Sequence, residues 1–173
     1  MKLKTSIVML SAVLSLVACT DPNRFDNLDG AGSGLFGRGA DGSGLGSASD
    51  PASAAYFQQA VGDRVLFLVD QSSLTVAARA TLDWQAEWLL TNTDYTAVIE
   101  GHADEQGTRE YNLALGARRA DAARAYLVSK GVPSGRLQVL SYGKERPTEV
   151  CSQETCYAKN RRAVTVLTAG LSG

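Results

Sequence analysis

The chain has 173 residues, a length that fits one domain with extensions. Its 17 basic and 18 acidic side chains nearly balance. Nucleic-acid binding requires a clustered basic excess, so we expect no nucleic-acid partner. Hydrophobic residues make up 45% of the chain, an ordinary share for a globular fold.

Residues 1–18 have the pattern of a secretory signal peptide. Two lysines near the start precede an apolar stretch at 7–17, which is shorter than the roughly 20 residues of a membrane-spanning helix. The stretch ends in Leu-Val-Ala-Cys at Cys19, which resembles the lipobox of bacterial lipoproteins. The resemblance implies acylation of Cys19 and, because Thr20 and not aspartate follows it, transport to the outer membrane. An ordinary signal peptide before a chance cysteine is the alternative.

Residues 19–55 read as a flexible tether, since residues 30–46 alone hold 8 of the 17 glycines. About 36 such residues have an r.m.s. reach of roughly 33 Å and a full extension near 120 Å. A linker without a function is the alternative. The folded domain is expected at 56–169, followed by a short tail at 170–173.

The domain alternates strand-like and helix-like segments, which predicts helices packed on a sheet. Thr108 is a typical helix N-cap, Gly101 is expected to stop the strand before it, and Gly131 is expected to end the long helix. Trp84 and Trp88, four residues apart on a helix, are expected to pack and not to form a sugar platform. The order β-α-β-α-β-(α)-β predicts an α/β fold, an α+β two-layer sandwich with a mixed sheet of about four strands. The expected strands are 64–69, 95–100, 136–142 and 162–167, and the expected helices are 74–91, 108–130 and 153–159.

One cation stands on the inward face of the long helix. At about 100° per residue, Arg119 falls among the apolar side chains that should meet the sheet. An unpaired buried charge costs several kcal/mol, so we expect an anionic group to face it. The loop 100–107 before this helix carries Asp104 and Glu105, and it leads into a helix N-terminus that favours anions.

Four segments in this order resemble the OmpA-like peptidoglycan-binding domain. They are 101–108, 111–120, 141–147 and 159–163. With the lipobox and the tether, the whole chain resembles the family of peptidoglycan-associated lipoproteins. The resemblance implies a lipid-anchored protein whose domain faces the periplasm and binds the meso-diaminopimelate of the peptide stem.

Site residues follow from the same resemblance. It implies that Asp104 accepts hydrogen bonds from the diaminopimelate ammonium and that Arg119 holds its carboxylate, as an aspartate and a guanidinium are suited to do. Asp70, Arg161 and Arg162 match other residues near the pocket. The alternatives are a structural ion pair between Asp104 and Arg119, a turn or cap role for Asp70, and strand-edge charges for the two arginines. Gln106, where relatives often carry arginine, and Val69, where they tend to carry phenylalanine, depart from the pattern.

Cys151 and Cys156 are expected to form a local disulfide, because exported proteins reach an oxidising compartment. Their spacing does not suit zinc, and His102 is the only histidine in the chain, so we expect no metal and no cofactor. His102 is expected to serve the loop structurally.

Three functions compete. The first is a wall-binding outer-membrane lipoprotein of the Tol-Pal system in cell division, with TolB and TolA as partners implied by the resemblance alone. The second is an OmpA-like wall anchor outside that system. The third is a peptidoglycan hydrolase, which the sequence disfavours because it has no multi-histidine zinc set and no Gly-x-Ser-x-Gly motif.

Overall fold

The computed structural model describes residues 46–169. The expected signal peptide, Cys19, the tether up to residue 45 and the tail at 170–173 lie outside the described residues. Within 46–169 no helix combines the length and the apolar character needed to cross a bilayer.

Within residues 46–169, four strands and four helices build a two-layer α/β domain, which confirms the predicted fold class. The strands form one mixed sheet in the order β1-β4-β2-β3, in which β2 and β3 are parallel and β4 is antiparallel to both β1 and β2. The strands are β1 (Arg64–Leu66), β2 (Tyr95–His102), β3 (Leu137–Gly143) and β4 (Arg162–Ala169). The helices are α1 (Ala54–Tyr56), which continues as a π-helix over Phe57–Gly62, α2 (Val76–Thr91), α3 (Arg109–Ser129) and α4 (Glu154–Asn160), with a 3-10 turn at Ser134–Arg136.

Local signals set the ends of the long helices. Thr75 and Thr108 are the N-caps of α2 and α3, and their hydroxyls accept from the backbone N–H of Ala78 and Tyr111. After α3 the chain turns at Gly131, whose φ of 103° favours glycine.

Gly101 does not stop its strand, contrary to expectation, because β2 continues to His102. The residue is glycine for another reason. A Cβ at position 101 would lie 1.8 Å from the carbonyl oxygen of Gly116, so α3 crosses β2 too closely for any side chain. The two glycines thus bring the helix that carries Arg119 against the end of β2.

The core lies between the sheet and helices α2 and α3. Trp88 is buried there and stacks in tilted fashion on Phe57 and Tyr95, as expected of a packing residue, whereas Trp84 is 63% exposed. The packed chain begins before Tyr56, since Ala54 is buried and the indole N–H of Trp88 donates to the carbonyl of Pro51 at 2.8 Å. Composition alone predicts that these residues belong to the tether.

The topology of the sheet brings the candidate site residues to one edge. Because β1, β2 and β3 run in one direction and β4 in the other, the carboxyl ends of the first three strands meet the amino end of β4 at one edge. Asp70 follows β1, Asp104 follows β2, and Arg161 precedes β4. Residues that are far apart in sequence therefore converge at the edge next to the N-terminus of α3.

Candidate functional site

Asp104 is the central anion of this edge. Its side chain is 10% exposed. Oδ2 accepts from Nη1 of Arg161 at 3.0 Å, and Oδ1 accepts from the backbone N–H of Gln106 at 3.2 Å. A carboxylate offers about four lone-pair directions, so acceptor capacity remains for a ligand cation.

Arg119 is fully buried on α3, as the helical pattern predicted, but its partners are not those expected. Its Nε, Nη1 and Nη2 donate to the backbone carbonyls of Gln71, His102 and Leu68 at 2.8, 2.8 and 3.1 Å. Among residues 46–169 no carboxylate lies within ion-pairing distance of this guanidinium. Backbone carbonyl oxygens accept the hydrogen bonds of the guanidinium instead. Through these bonds Arg119 links the turn after β1 to the end of β2.

Electrostatics still link Arg119 to the neighbouring acids. Burial lowers the pKa of Arg119 to about 10, and the negative charges of Asp104 and Asp70 act in the opposite direction. The guanidinium therefore stays protonated at neutral pH and places a buried positive charge beneath the acids. Three of the five N–H donors of a guanidinium are used in the carbonyl bonds, and two remain.

Asp70 lies in the turn that covers Arg119. It is the only non-glycine residue with positive φ among residues 46–169, at 55°, and its carboxylate accepts from the Tyr111 hydroxyl at 3.4 Å. The N-cap of α2 is Thr75, so Asp70 is a turn former and not a cap. Aspartate adopts this left-handed conformation more readily than most residues other than glycine, and such positions occur in turns and at functional sites.

Arg161, which precedes β4, and Arg162, its first residue, have different contacts. Arg161 is 4% exposed and joins Asp104 to Glu154 of α4, while its Nε donates to the carbonyl of Phe67. Arg162 is also buried, but its guanidinium donates only to the carbonyls of Asn160 and Arg146. The structure thus brings Arg161 to Asp104, and Arg162 lies beside them without contacting either acid.

Asn160 and Asn112 hold the loops around the acids. Asn160 accepts from the backbone N–H groups of Thr148 and Glu149 and donates to the Glu105 carboxylate at 2.8 Å. Asn112 donates to the carbonyl of Gln106 at 2.7 Å, while its own oxygen is buried without a partner. Sequence reasoning missed Asn160 and Glu154, because their roles depend on contacts with residues at least seven positions away.

His102 is buried at the end of β2, where its ring stacks on Tyr142 at 5.6 Å between centroids. Burial, with smaller contributions from the positive charges of Arg162 and Arg146, lowers the pKa of His102 to about 4. Glu100 is 3.7 Å from its Nε2, too far for a hydrogen bond. The ring is therefore neutral near pH 7. The backbone carbonyl of His102, and not its imidazole, accepts the hydrogen bond from Arg119.

A disulfide joins Cys151 and Cys156, whose Cα atoms are 5.9 Å apart. It closes a ring of six residues that contains Glu154 and the first turn of α4. Residues 46–169 hold no group of three or more side chains placed to bind a metal ion.

Comparisons with known proteins show the family of this chain. The family model of the OmpA family matches residues 66–161. The chain belongs to the OmpA family. The match begins at the last residue of β1 and runs through α2, β2, α3, β3 and α4, so it includes every acid and arginine of the site except Arg162.

Relatives extend the similarity to most of the chain. A peptidoglycan-associated lipoprotein of Rhizobium meliloti is 50% identical over 161 residues, which cover 93% of this chain and 86% of the relative. One of Mesorhizobium japonicum is also 50% identical, over 93% of this chain and 90% of the relative. The crystal structure of the peptidoglycan-associated lipoprotein from Burkholderia pseudomallei is 35% identical, with a TM-score of 0.64 over 69% of this chain and 100% of that one.

Proposed function

We propose that this chain binds peptidoglycan non-covalently at the edge formed by Asp70, Asp104 and Arg119. The observation that carries the proposal is the nearly buried Asp104 carboxylate, which keeps acceptor capacity beside a buried, protonated guanidinium. Anion and cation at one pocket suit a ligand that bears both charges. The D-centre of meso-diaminopimelate in the peptide stem carries an ammonium and a carboxylate, and the relatives bear the name peptidoglycan-associated lipoprotein.

In this proposal Asp104, assisted by Asp70, accepts from the ligand ammonium. Arg119 has two N–H donors left for the ligand carboxylate. The fully buried guanidinium is hydrogen-bonded to the carbonyls of Leu68 and Gln71, so the carboxylate reaches it when the turn 68–71 moves and these two bonds open. The side chains of Leu68 and Val69 are about half exposed, at 55% and 48%, so they lose little packing in that movement.

Anchoring completes the proposed function. Cys19, acylated after cleavage of residues 1–18, would hold the protein in the outer membrane, and residues 19–45 would let the domain reach the wall. Stable anchoring requires more than one acyl chain, which a lipidated N-terminal cysteine supplies. Replacing Cys19 by alanine should release the protein from the membrane fraction, and continued membrane association of that variant would refute lipidation at Cys19.

A place in the Tol-Pal system, with TolB and TolA as partners in cell division, is a further part of the proposal. Support comes from the similarity to peptidoglycan-associated lipoproteins over most of the chain. A wall anchor outside this system is the alternative. Co-purification of TolB with the full-length protein from membranes decides between them.

Cosedimentation with purified sacculi tests the binding site. Asp104→Asn keeps the shape and removes the charge, so retention should fall at least about tenfold. Asp94→Asn, which removes an exposed acid at the opposite edge of the sheet, is the matched control and should be retained like the wild type. Free meso-diaminopimelate should compete, and lysine should compete weakly.

The outcomes separate the competing functions. Retention of the wild-type protein with unchanged muropeptides supports binding, while newly cleaved muropeptides would support the hydrolase. Equal retention of Asp104→Asn and the wild type would refute the site.

A further inference from the structure

The buried guanidinium of Arg161 is shared between two carboxylates. Its Nη1 donates to Oδ2 of Asp104 at 3.0 Å and, more weakly, to Oε2 of Glu154 at 3.4 Å, and its Nη2 donates to Oε1 of Glu154. The Arg161 side chain is 5% exposed, whereas that of Glu154 is 66% exposed. Glu154 thus reaches inward from the surface to hold the outer half of the cation that contacts Asp104.

This sharing of Arg161 determines how much acceptor capacity the Asp104 carboxylate keeps for a ligand cation. Arginine binds a single carboxylate most favourably through two parallel N–H···O bonds. If Glu154 did not hold Nη2, the guanidinium of Arg161 could turn both terminal nitrogens onto the two oxygens of Asp104. That arrangement would occupy the acceptor capacity of Asp104 and neutralise its charge, so a ligand cation would bind less well.

The position of Glu154 depends on the disulfide. Glu154 is the first residue of α4, a helix of seven residues whose N-cap, Gln153, makes no side-chain capping hydrogen bond. So short a helix has little stability of its own. The Cys151–Cys156 bridge closes the first turn around Glu154, and Asn160 anchors the other end of α4 to Glu105.

We propose that Glu154 is a positioning residue for Asp104, acting through Arg161, and that the Cys151–Cys156 disulfide holds Glu154 in place. The proposal rests on the proposed peptidoglycan site and adds to it a surface carboxylate and a covalent brace. Neither contacts the ligand. Both keep Asp104 available to a ligand ammonium.

The experiment compares variants of the full-length protein in detergent micelles. Glu154→Gln removes the carboxylate charge, Glu154→Asp keeps it, and Cys151→Ser/Cys156→Ser removes the brace. Glu149→Gln is the matched control, because Glu149 lies in the loop before α4 but forms its ion pair with exposed Lys159 at 2.9 Å. Circular dichroism checks that each variant is folded.

Two readouts are measured. The backbone N–H of Gln106 donates to Asp104, so its ¹⁵N–¹H chemical shift reports the placement of that carboxylate independently of any ligand. Retention on purified sacculi reports binding. Glu154→Gln and the cysteine double variant should shift the Gln106 signal and weaken retention about fivefold or more. Glu154→Asp should recover part of both effects, and Glu149→Gln should show neither.

Each result has one meaning. An unchanged Gln106 signal in Glu154→Gln overturns the positioning role, whatever the sacculi show. A shifted signal with unchanged retention overturns its importance for binding. A wild-type protein that fails to sediment refutes the proposed function, while the Gln106 signal still decides the link from Glu154 to Asp104. If the cysteine double variant does not fold, the two variants at the exposed Glu154 test the proposal without it.

Discussion

Arg119 and Arg136 lie at opposite edges of the same sheet, and each binds three backbone carbonyls. Arg136 donates to those of Tyr95, Leu89 and Asn92, at distances from 2.6 to 2.9 Å. Neither guanidinium has a carboxylate within ion-pairing distance among residues 46–169. Both arginines therefore have the same structural role, since each links separate chain segments through hydrogen bonds to backbone carbonyls.

Their surroundings differ. Arg119 is fully buried, with Asp104 and Asp70 close enough for their charges to act on its pKa, whereas Arg136 is half-buried and its guanidinium donates only to carbonyls. The edge near Arg119 also contains the buried polar side chains of Asn112, Asn160 and Arg161. A buried cation alone therefore has a structural role, and we propose that the acids with spare acceptor capacity beside Arg119 make its edge a binding site.

The close approach of β2 and α3 at the site edge gives the largest expected effect. Gly101→Ala should lower the free energy of unfolding by about 4 kcal/mol or more, because its Cβ would overlap the backbone of Gly116. Gly135→Ala at the opposite edge meets nothing within 4 Å and should change stability by less than about 0.5 kcal/mol. Urea denaturation of both variants measures the difference, and equal stabilities would disprove the tight contact.

Substitution of the two arginines should give the second-largest difference in stability. Arg119→Met should cost about 3 kcal/mol, since it leaves carbonyls without donors in a buried place, while Arg136→Met should cost about 1 kcal/mol because water can reach its carbonyls. Denaturation curves and sacculi retention are measured under conditions where both variants are folded. Only Arg119→Met should lose retention, and loss in both variants would contradict the distinction between the edges.

His102 should make the site edge sensitive to acid. Its pKa is about 4 in the folded protein and near 6.5 when unfolded, so the unfolded chain binds the proton more readily between these values. Its contribution is complete above about pH 6.5 and is lost as the pH falls toward 4. Between pH 7 and pH 4 the wild type should lose about 3 kcal/mol more than His102→Phe. Parallel losses measured by urea denaturation at both pH values would show that His102 is not responsible.

Much of the fold was predictable from local patterns. Helix caps at Thr108 and Gly131 and the alternation of strands with helices predicted the α/β sandwich, since these signals act over a few residues. Arg119 was also predictable as an inward cation from helical periodicity alone. Gly101 was misread as a strand end, because nothing in the sequence shows that α3 crosses β2 at that point.

The residue types of the candidate site were predictable from the amino-acid sequence: an acid after one strand, an acid in a turn and an arginine on the inward face of a helix. Their partners depend on the folded arrangement. Asp104 pairs with Arg161, 57 residues away, and Arg119 binds carbonyls from two loops. The physical reason is that local patterns fix the burial of a side chain, whereas its hydrogen-bond partners depend on how distant segments meet at the edge of the sheet.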